Sequence, residues 1–332
     1  MRIKLLIATA DYDYIEHLSA VLSENHSDIF DINVCSAAER LRELLASNSY
    51  DAAMLEQSFV SGINLQSIHM PLILAGESED IPENGLKSIR KYQRISSIVG
   101  NILENYADTG KKLNNFGSDK ARITAVWSPA GGTGKTTIAL AYAAHEVLSG
   151  KKVLYLNLEN FSSISVYFKE TGKSISKAFE KLESNVHMIL MGIRQQDSGS
   201  GISYFCAPEN YDDMNTLSTD DIATLIDACA AGTDELVVDL SSCCDARVQK
   251  VFKLADFVLL INDTSRASQV KLKQFTAQHN VFRQIQGKTV LINNKGTKTN
   301  DTDLTETVSL PFVQSTDPIS IFKSLSSGNF DW

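Results

Sequence analysis

The feature that most constrains this chain is a glycine-rich turn, SPAGGTGKTT, running from Ser128 to Thr137. An apolar run rich in β-formers, ITAVW (Ile123 to Trp127), leads into it, and an alanine-rich stretch, IALAYAAHEVLSG, leads out as far as Gly150. Strand, glycine-rich loop and helix in that order form the context a phosphate-binding loop requires. Gly131, Gly132 and Gly134 let backbone N–H groups turn around phosphate oxygens with no Cβ in the way. The helix that starts near Lys135 adds the positive end of its dipole. Lys135 is expected to reach the β and γ phosphates of a bound nucleotide and the Thr136 hydroxyl to ligate Mg²⁺, while Ala130, Thr133 and Thr137 complete the cradle.

The chain has 332 residues, about twice a typical domain, so two domains are expected. Its net charge of -9 argues against a protein that grips nucleic-acid backbones nonspecifically. With 43% hydrophobic and 21% charged residues, it can bury ordinary globular cores. The opening MRIKLLIATADYD reads as a first strand, since its apolar stretch ends at Asp11 without a small-residue cleavage pattern. No apolar run reaches the length of a bilayer span, so a cytoplasmic protein is expected. Cys35, Cys206, Cys229, Cys243 and Cys244 are odd in number and lack CxxC spacing, which favours reduced, buried thiols over disulfides or zinc.

Residues 1–105 carry 8 basic and 15 acidic side chains, and the rest of the chain carries 23 and 25. The polar segment ADTGKKLNNFGSDKAR, with Gly110 and Gly117, reads as a linker. We therefore expect domains at 1–106 and 122–332, joined by 107–121. In front of the linker, IKLLIA, FDINV, DAAML and PLILA alternate with helical patterns through Ile15, Leu18 and Leu22, and through Leu41, Leu44 and Leu45. LKSIRKY follows, and a closing helix places Ile95, Ile98, Val99, Ile102 and Leu103 at helical spacing. Such alternation predicts a parallel sheet flanked by helices.

At this length the amino-terminal pattern resembles the receiver domain of two-component response regulators, a flavodoxin-like fold. The receiver chemistry is missing. Thr9 and Ala10 stand where receivers carry an acidic pair for Mg²⁺, with Asp11 next. Glu56 stands at the phosphoacceptor aspartate, Ala75 or Gly76 at the switch hydroxyl, and Lys91 at the conserved lysine without its following proline. The resemblance implies an atypical, non-phosphorylatable receiver whose task is docking or dimerisation.

A strict GxxxxGK[ST] pattern fails because Pro129 occupies the first glycine position. GGTGKTT instead resembles the deviant P-loop of the MinD/ParA family of ATPases, and the resemblance extends along the chain. KKVLYLNLEN is similar to the family's second strand, with Asn157 and Glu159 at the two acidic positions near the γ phosphate. SYFCAP resembles the strand that ends in a small-Pro turn, and FVLLIN is a further buried strand. ELVVDL places Asp239 at the Walker B aspartate, where the resemblance implies a share in holding Mg²⁺. KTVLINN resembles the strand whose terminal asparagine recognises adenine, which implies Asn293, with Asn294 beside it. Leu310, Pro311 and Phe312 match the turn that passes the base. The fold implied is α/β throughout, a receiver-like parallel sheet followed by a MinD/ParA-type P-loop NTPase sheet. That pairing is similar to the TadZ and CpaE proteins of Tad (type IVb) pilus assembly. It implies an ATP- and Mg²⁺-dependent localisation factor, recruited to a cell pole, that works with pilus secretion components and a polar landmark protein.

Ala130 is the main departure, since the family carries there a signature lysine that reaches the partner's phosphates across a dimer. Trans cations of this kind are worth orders of magnitude in rate, so tight ATP binding with weak hydrolysis is expected. Lys135, Glu159 and Asp239 are the catalytic candidates, with Glu159 orienting the attacking water. Arg266, Arg194 and Lys295 are candidates to replace the missing cation, each also readable as a surface residue. A nucleotide-linked homodimer is implied by the family. The segment FSSISVYFKETGKSISKAFEKLES fits either part of its interface or ordinary helix packing. The closing DPISIFKSLSSGNFDW has Lys323 as its lone basic residue, which favours core packing over a membrane-binding helix and leaves at most indirect membrane contact. A chromosome or plasmid partition ATPase is the alternative function, though it needs a basic surface and the front domain is acidic. A response-regulator transcription factor would need a helix-turn-helix, and a nitrogenase-like reductase spaced cluster cysteines; neither is evident.

Overall fold

The apolar runs of the amino-terminal segment become parallel strands. In the computed structural model, which describes residues 2–76, 86–109, 121–183, 185–296, 307–328 and 330, they are β1 (Ile3–Ala8), β2 (Phe30–Cys35), β3 (Tyr50–Glu56), β4 (Ile68–Ala75) and β5 (Ser88–Arg90). Their order is β2-β1-β3-β4-β5, all parallel, which is the flavodoxin-like order. Leu5 to Ala8 on β1 and Ala52 to Leu55 on β3 are fully buried, because helices cover both faces of a parallel sheet. The helix Tyr12–Asn25 is capped by the Asp11 carboxylate, which accepts from the Tyr14 N–H, and it buries Ile15, Leu18 and Leu22. The helix Ile95–Asp108 buries Ile98, Val99, Ile102 and Leu103. Ala107 and Asp108, expected to open the linker, instead finish this helix, and residues 110–120 lie outside those described.

The chain forms two compact units, the first made of residues 1–116 with 191–193 and the second of residues 117–190 with 194–332. The second contains β6 (Arg122–Trp127), β7 (Val153–Asn157), β8 (Gln195–Gln196), β9 (Ser203–Tyr204), β10 (Glu235–Asp239), β11 (Phe257–Asn262), β12 (Thr289–Asn293) and β13 (Thr307–Ser309). Their order is β13-β12-β11-β6-β10-β7-β9-β8, and the β8–β9 pair alone is antiparallel among the described strands. From β6 the chain passes to β7 on one side, later fills the gap with β10, and then crosses to β11 on the other side of β6. Ligands of open α/β sheets bind outside the carboxyl ends of the strands at such a reversal. The register puts Asp239 opposite both Val126 and Asn157, and Asn262 opposite Asn293, so these polar ends share one edge.

The helix Lys135–Leu148 buries Ile138 to Ala143 completely, and these residues, Tyr142 the largest among them, form the core with Val126, Tyr155, Val237 and Leu259. The helix Pro318–Ser326, capped by Asp317, packs against it. Leu325 is buried there, and Ile321 and Phe322 are partly buried against the same core, as core packing of this segment requires. Among the described residues no helix is long and apolar enough to cross a membrane. The segment after β7 forms only short helices, Ile164–Tyr167 and Ser176–Phe179. Ile164, Phe168, Ile175 and Ala178 are buried in the unit, whereas Phe161 is exposed and stacks on Tyr211.

At the amino ends of the strands, Glu235 is fully buried. It accepts from the Thr124 hydroxyl at 2.5 Å and the Tyr142 hydroxyl at 3.2 Å, and lies 3.5 Å from Arg122 and 3.7 Å from Lys151. Burial raises its pKa, helped by the nearby Glu146 and opposed by Thr124, Arg122 and Lys151.

Candidate functional site

The turn after β6 is built to present its backbone. Gly132 and Gly134 have φ of 74° and 92°, a left-handed region costly for any residue with a Cβ. The N–H groups of Gly131 to Thr136 find no acceptor among the described residues. Six successive donors around a turn that runs into a helix N-terminus make an anion-binding concavity. A Cβ built on Gly131 or Gly132 meets nothing within 4 Å, whereas one on Gly134 comes 2.6 Å from the Asn294 amide nitrogen. Ala130 is buried and Thr133 is fully enclosed, its hydroxyl without a partner among the described residues.

Lys135 is 8% exposed. Its Nζ donates to Ser242 Oγ at 3.0 Å and lies 3.9 Å from the Glu159 carboxylate. Ser242 in turn donates to the Ala130 carbonyl at 3.0 Å. Thr137 shares a 2.8 Å hydrogen bond with the Tyr167 hydroxyl. The sequence brings Ser242 to the loop because β10 lies beside β6 in register, so the residues just beyond Asp239 fall next to those just beyond Trp127. Trp127 Nε1 also donates to the Cys243 carbonyl at 2.8 Å.

Asp239 ends β10 and is fully buried. Tyr155 donates to its Oδ2 at 2.7 Å and the Asn157 amide at 3.4 Å, while Oδ1 has no hydrogen-bond partner among the described residues. Its pKa is pushed up to about 7, first by burial and then by the Glu159 carboxylate; the Thr136 and Tyr155 hydroxyls and Lys135 pull the other way. Glu159, on the loop after β7, is raised by burial as well, against the pull of Lys135. Its backbone N–H donates to the Asn157 side chain at 3.0 Å. An orphaned carboxylate oxygen beside a threonine hydroxyl is a hard oxygen donor set, and Mg²⁺ is commonly held by one carboxylate plus substrate phosphates. The residues present fit that ion.

On the far side of the loop, Asn293 is buried at the end of β12 and its amide oxygen accepts from Asn262 at 3.4 Å. Asn294 donates to the Thr133 carbonyl at 2.8 Å. Lys295 Nζ lies 2.8 Å from both the Gly132 carbonyl and the Asp263 carboxylate. Leu310 and Gly296 are joined by a 2.9 Å backbone hydrogen bond, which holds the exposed Pro311 and Phe312 beside this turn. Of the cation candidates, Lys295 alone lies against the loop in these contacts; Arg266 is exposed on its helix and Arg194 adjoins β8 at the sheet's far edge. Sequence reasoning missed Ser242, Tyr155 and Tyr167, whose partners are distant in the chain and leave no local pattern.

In the amino-terminal unit, Glu56 accepts from the Thr9 hydroxyl, the Ala10 N–H at 3.1 Å and Lys91 Nζ at 3.1 Å. Burial alone would raise its pKa, but these donors bring it below the usual carboxylate range. Asp11 caps its helix and accepts from the Tyr92 hydroxyl at 2.5 Å. The two carboxylates thus serve separate bonds, and the edge is closed by an ion pair. The thiols are all free: Cys35, Cys206 and Cys229 are buried, but Cys244 is half-buried and Cys243 exposed, contrary to the expectation of burial. Both sit on the loop after β10, outside the covered strand.

No known family model matches the chain, and no curated protein matches its sequence. Among solved structures it is similar to a ParA family ATPase from Chlorobium tepidum TLS, with 18% identity and a TM-score of 0.50 over 62% of this chain and 90% of that one. A chain of the MinC:MinD cell division protein complex of Aquifex aeolicus gives 14% identity and 0.48 over 63% and 97%. The septum site-determining protein MinD of Pyrococcus horikoshii OT3, complexed with Mg-ADP, gives 12% and 0.45 over 62% and 96%. At these identities the likeness is one of fold. The strand order, the turn after β6 and the Chlorobium likeness together give the carboxy-terminal unit the parallel α/β fold of MinD/ParA-type P-loop NTPases.

Proposed function

We propose that the carboxy-terminal unit binds ATP with Mg²⁺, hydrolyses it slowly and dimerises with itself when the nucleotide is bound. The observation that carries this reading is the run of N–H groups from Gly131 to Thr136 without acceptors among the described residues, ending at Lys135. Lys135 exchanges its contacts with Ser242 and Glu159 for the β and γ phosphates. Thr136 and Asp239 would hold Mg²⁺, which when bound neutralises charge on the phosphate oxygens. Glu159 orients a water for attack, and its raised pKa makes it a better proton acceptor than an ordinary surface carboxylate. The adenine lies against Pro311 and Phe312, with Asn293 and Asn294 behind. With Ala130 in place of a cation, charge developing in the transition state lacks one stabilising partner, and turnover is slow.

The two-unit architecture supports a role as a localisation and assembly factor of a Tad (type IVb) pilus secretion system, recruited to a cell pole. In this reading the amino-terminal unit is a receiver-like docking module, whose acceptor position is closed by the Glu56–Lys91 pair. Titration calorimetry and light scattering with and without Mg-ATP, on wild type and Lys135→Ala, test the nucleotide part. We expect binding and dimerisation by the wild type alone. Identical behaviour of both proteins in all conditions refutes the nucleotide-controlled dimer. Polar foci of a fluorescent fusion, lost in Lys135→Ala, test the cellular part, and uniform fluorescence of the wild type counts against it.

A further inference from the structure

The P-loop is held from behind by side chains that no motif specifies. Three of its carbonyls receive a side-chain donor: Ala130 from Ser242 Oγ at 3.0 Å, Gly132 from Lys295 Nζ at 2.8 Å and Thr133 from Asn294 Nδ2 at 2.8 Å. In a planar trans peptide the C=O and the following N–H point in opposite directions. Each of these contacts therefore turns one N–H, of Gly131, Thr133 or Gly134 respectively, towards the other side of the loop. Those are among the donors left without acceptors.

We infer that Ser242, Asn294 and Lys295 are positioning residues that preset the anion cradle from the side of the loop away from the anion. This rests on the reading of the turn as a phosphate site. Lys295 is suited to the task because its own place is fixed. The carboxylate of Asp263, nearly buried, pairs with it at 2.8 Å, and Ser265 donates to the same carboxylate through its N–H and hydroxyl. Lys295 also adopts a φ of 58°, a conformation that costs a residue with a Cβ energy. A rigid donor set lowers the reorganisation needed when an anion arrives.

The test compares ATP, ADP and AMP affinities of the full chain by calorimetry for wild type, Lys295→Met, Lys295→Arg, Asn294→Ala and Ser242→Ala. Loss of one charge-assisted contact is worth about tenfold in affinity. Lys295→Met should therefore bind ATP about tenfold more weakly, ADP less so, and AMP within about twofold of wild type, with Lys295→Arg recovering most of the loss. A general packing defect would weaken all three nucleotides alike, and that outcome overturns the inference. So does unchanged ATP affinity in Lys295→Met. Ser242→Ala, on the opposite side of the loop, gives an independent arm should Lys295→Met fold poorly, and it too should weaken ATP more than AMP. A wild type that binds no nucleotide defeats the phosphate-site reading itself; a wild type that binds, with variants indistinguishable from it, defeats only the positioning role.

Discussion

Gly134→Ala separates a conformational demand from mere sequence pattern. Gly134 has a φ of 92°, and a Cβ there would sit 2.6 Å from the Asn294 amide nitrogen. The left-handed backbone costs an alanine about 1–2 kcal/mol. The clash drives the Asn294 amide off the Thr133 carbonyl, and orphaning buried groups of this kind costs about 1–3 kcal/mol more. A total of about 2–5 kcal/mol is a large part of a typical domain's stability of roughly 5–15 kcal/mol. Gly131→Ala, with no positive φ and no neighbour within 4 Å, should stay within about 0.5 kcal/mol of wild type. In an Asn294→Ala background, Gly134→Ala should cost only the backbone share, so the double-mutant cycle should show coupling of about 1–3 kcal/mol. Urea unfolding followed by tryptophan emission measures this, since Trp127 is buried in the same unit. Equal losses for Gly131→Ala and Gly134→Ala, or strict additivity with Asn294→Ala, would refute the reasoning.

Two further outcomes follow from the charged clusters. Glu235 has a raised native pKa, so the native state binds more protons than the unfolded chain above the ordinary carboxylate value. Its contribution is fully present below that value and is lost as pH rises through the native pKa. Glu235→Gln cannot ionise, so its urea midpoint relative to wild type should climb as pH rises above the ordinary carboxylate value of 4.5 and through the raised native one; a constant difference would count against the assignment. In the other unit, Lys91→Met leaves Glu56 without its cation and should destabilise that unit by about 1–3 kcal/mol. Adding Glu56→Gln should restore part of the loss, and amide exchange in β1 and β3 reads both effects.

The sequence carried the strands and the turn well because their signals are local. Continuous apolar runs such as FVLLIN became β11 with its interior fully buried, and a glycine pattern next to a lysine became a left-handed loop entering a helix. The loop's outer partners were less legible. Ser242 and Lys295 look like surface residues in a polar segment, and only the placement of β10 and of β12 near β6 brings them to Ala130 and Gly132. Asn293 and Asn294 are adjacent and chemically alike, yet one faces Asn262 inside the sheet and the other the Thr133 carbonyl. Which neighbour does which is decided by strand register, and composition does not encode it. Likewise Cys243 reads as a small apolar residue but falls exposed on the loop after β10.

The packing of Pro318–Ser326 on Lys135–Leu148 bears on how the protein is made. Leu325, Ile321 and Phe322 supply part of the wall around the helix that carries the lysine, yet they are translated long after it. A ribosome-bound chain that has already emitted Gly131 to Thr137 still has that wall open to water. The turn after β6 therefore reaches its final rigidity late in synthesis, and if it takes ATP as proposed, a stalled chain ending before Pro318 should bind it more loosely than the released protein.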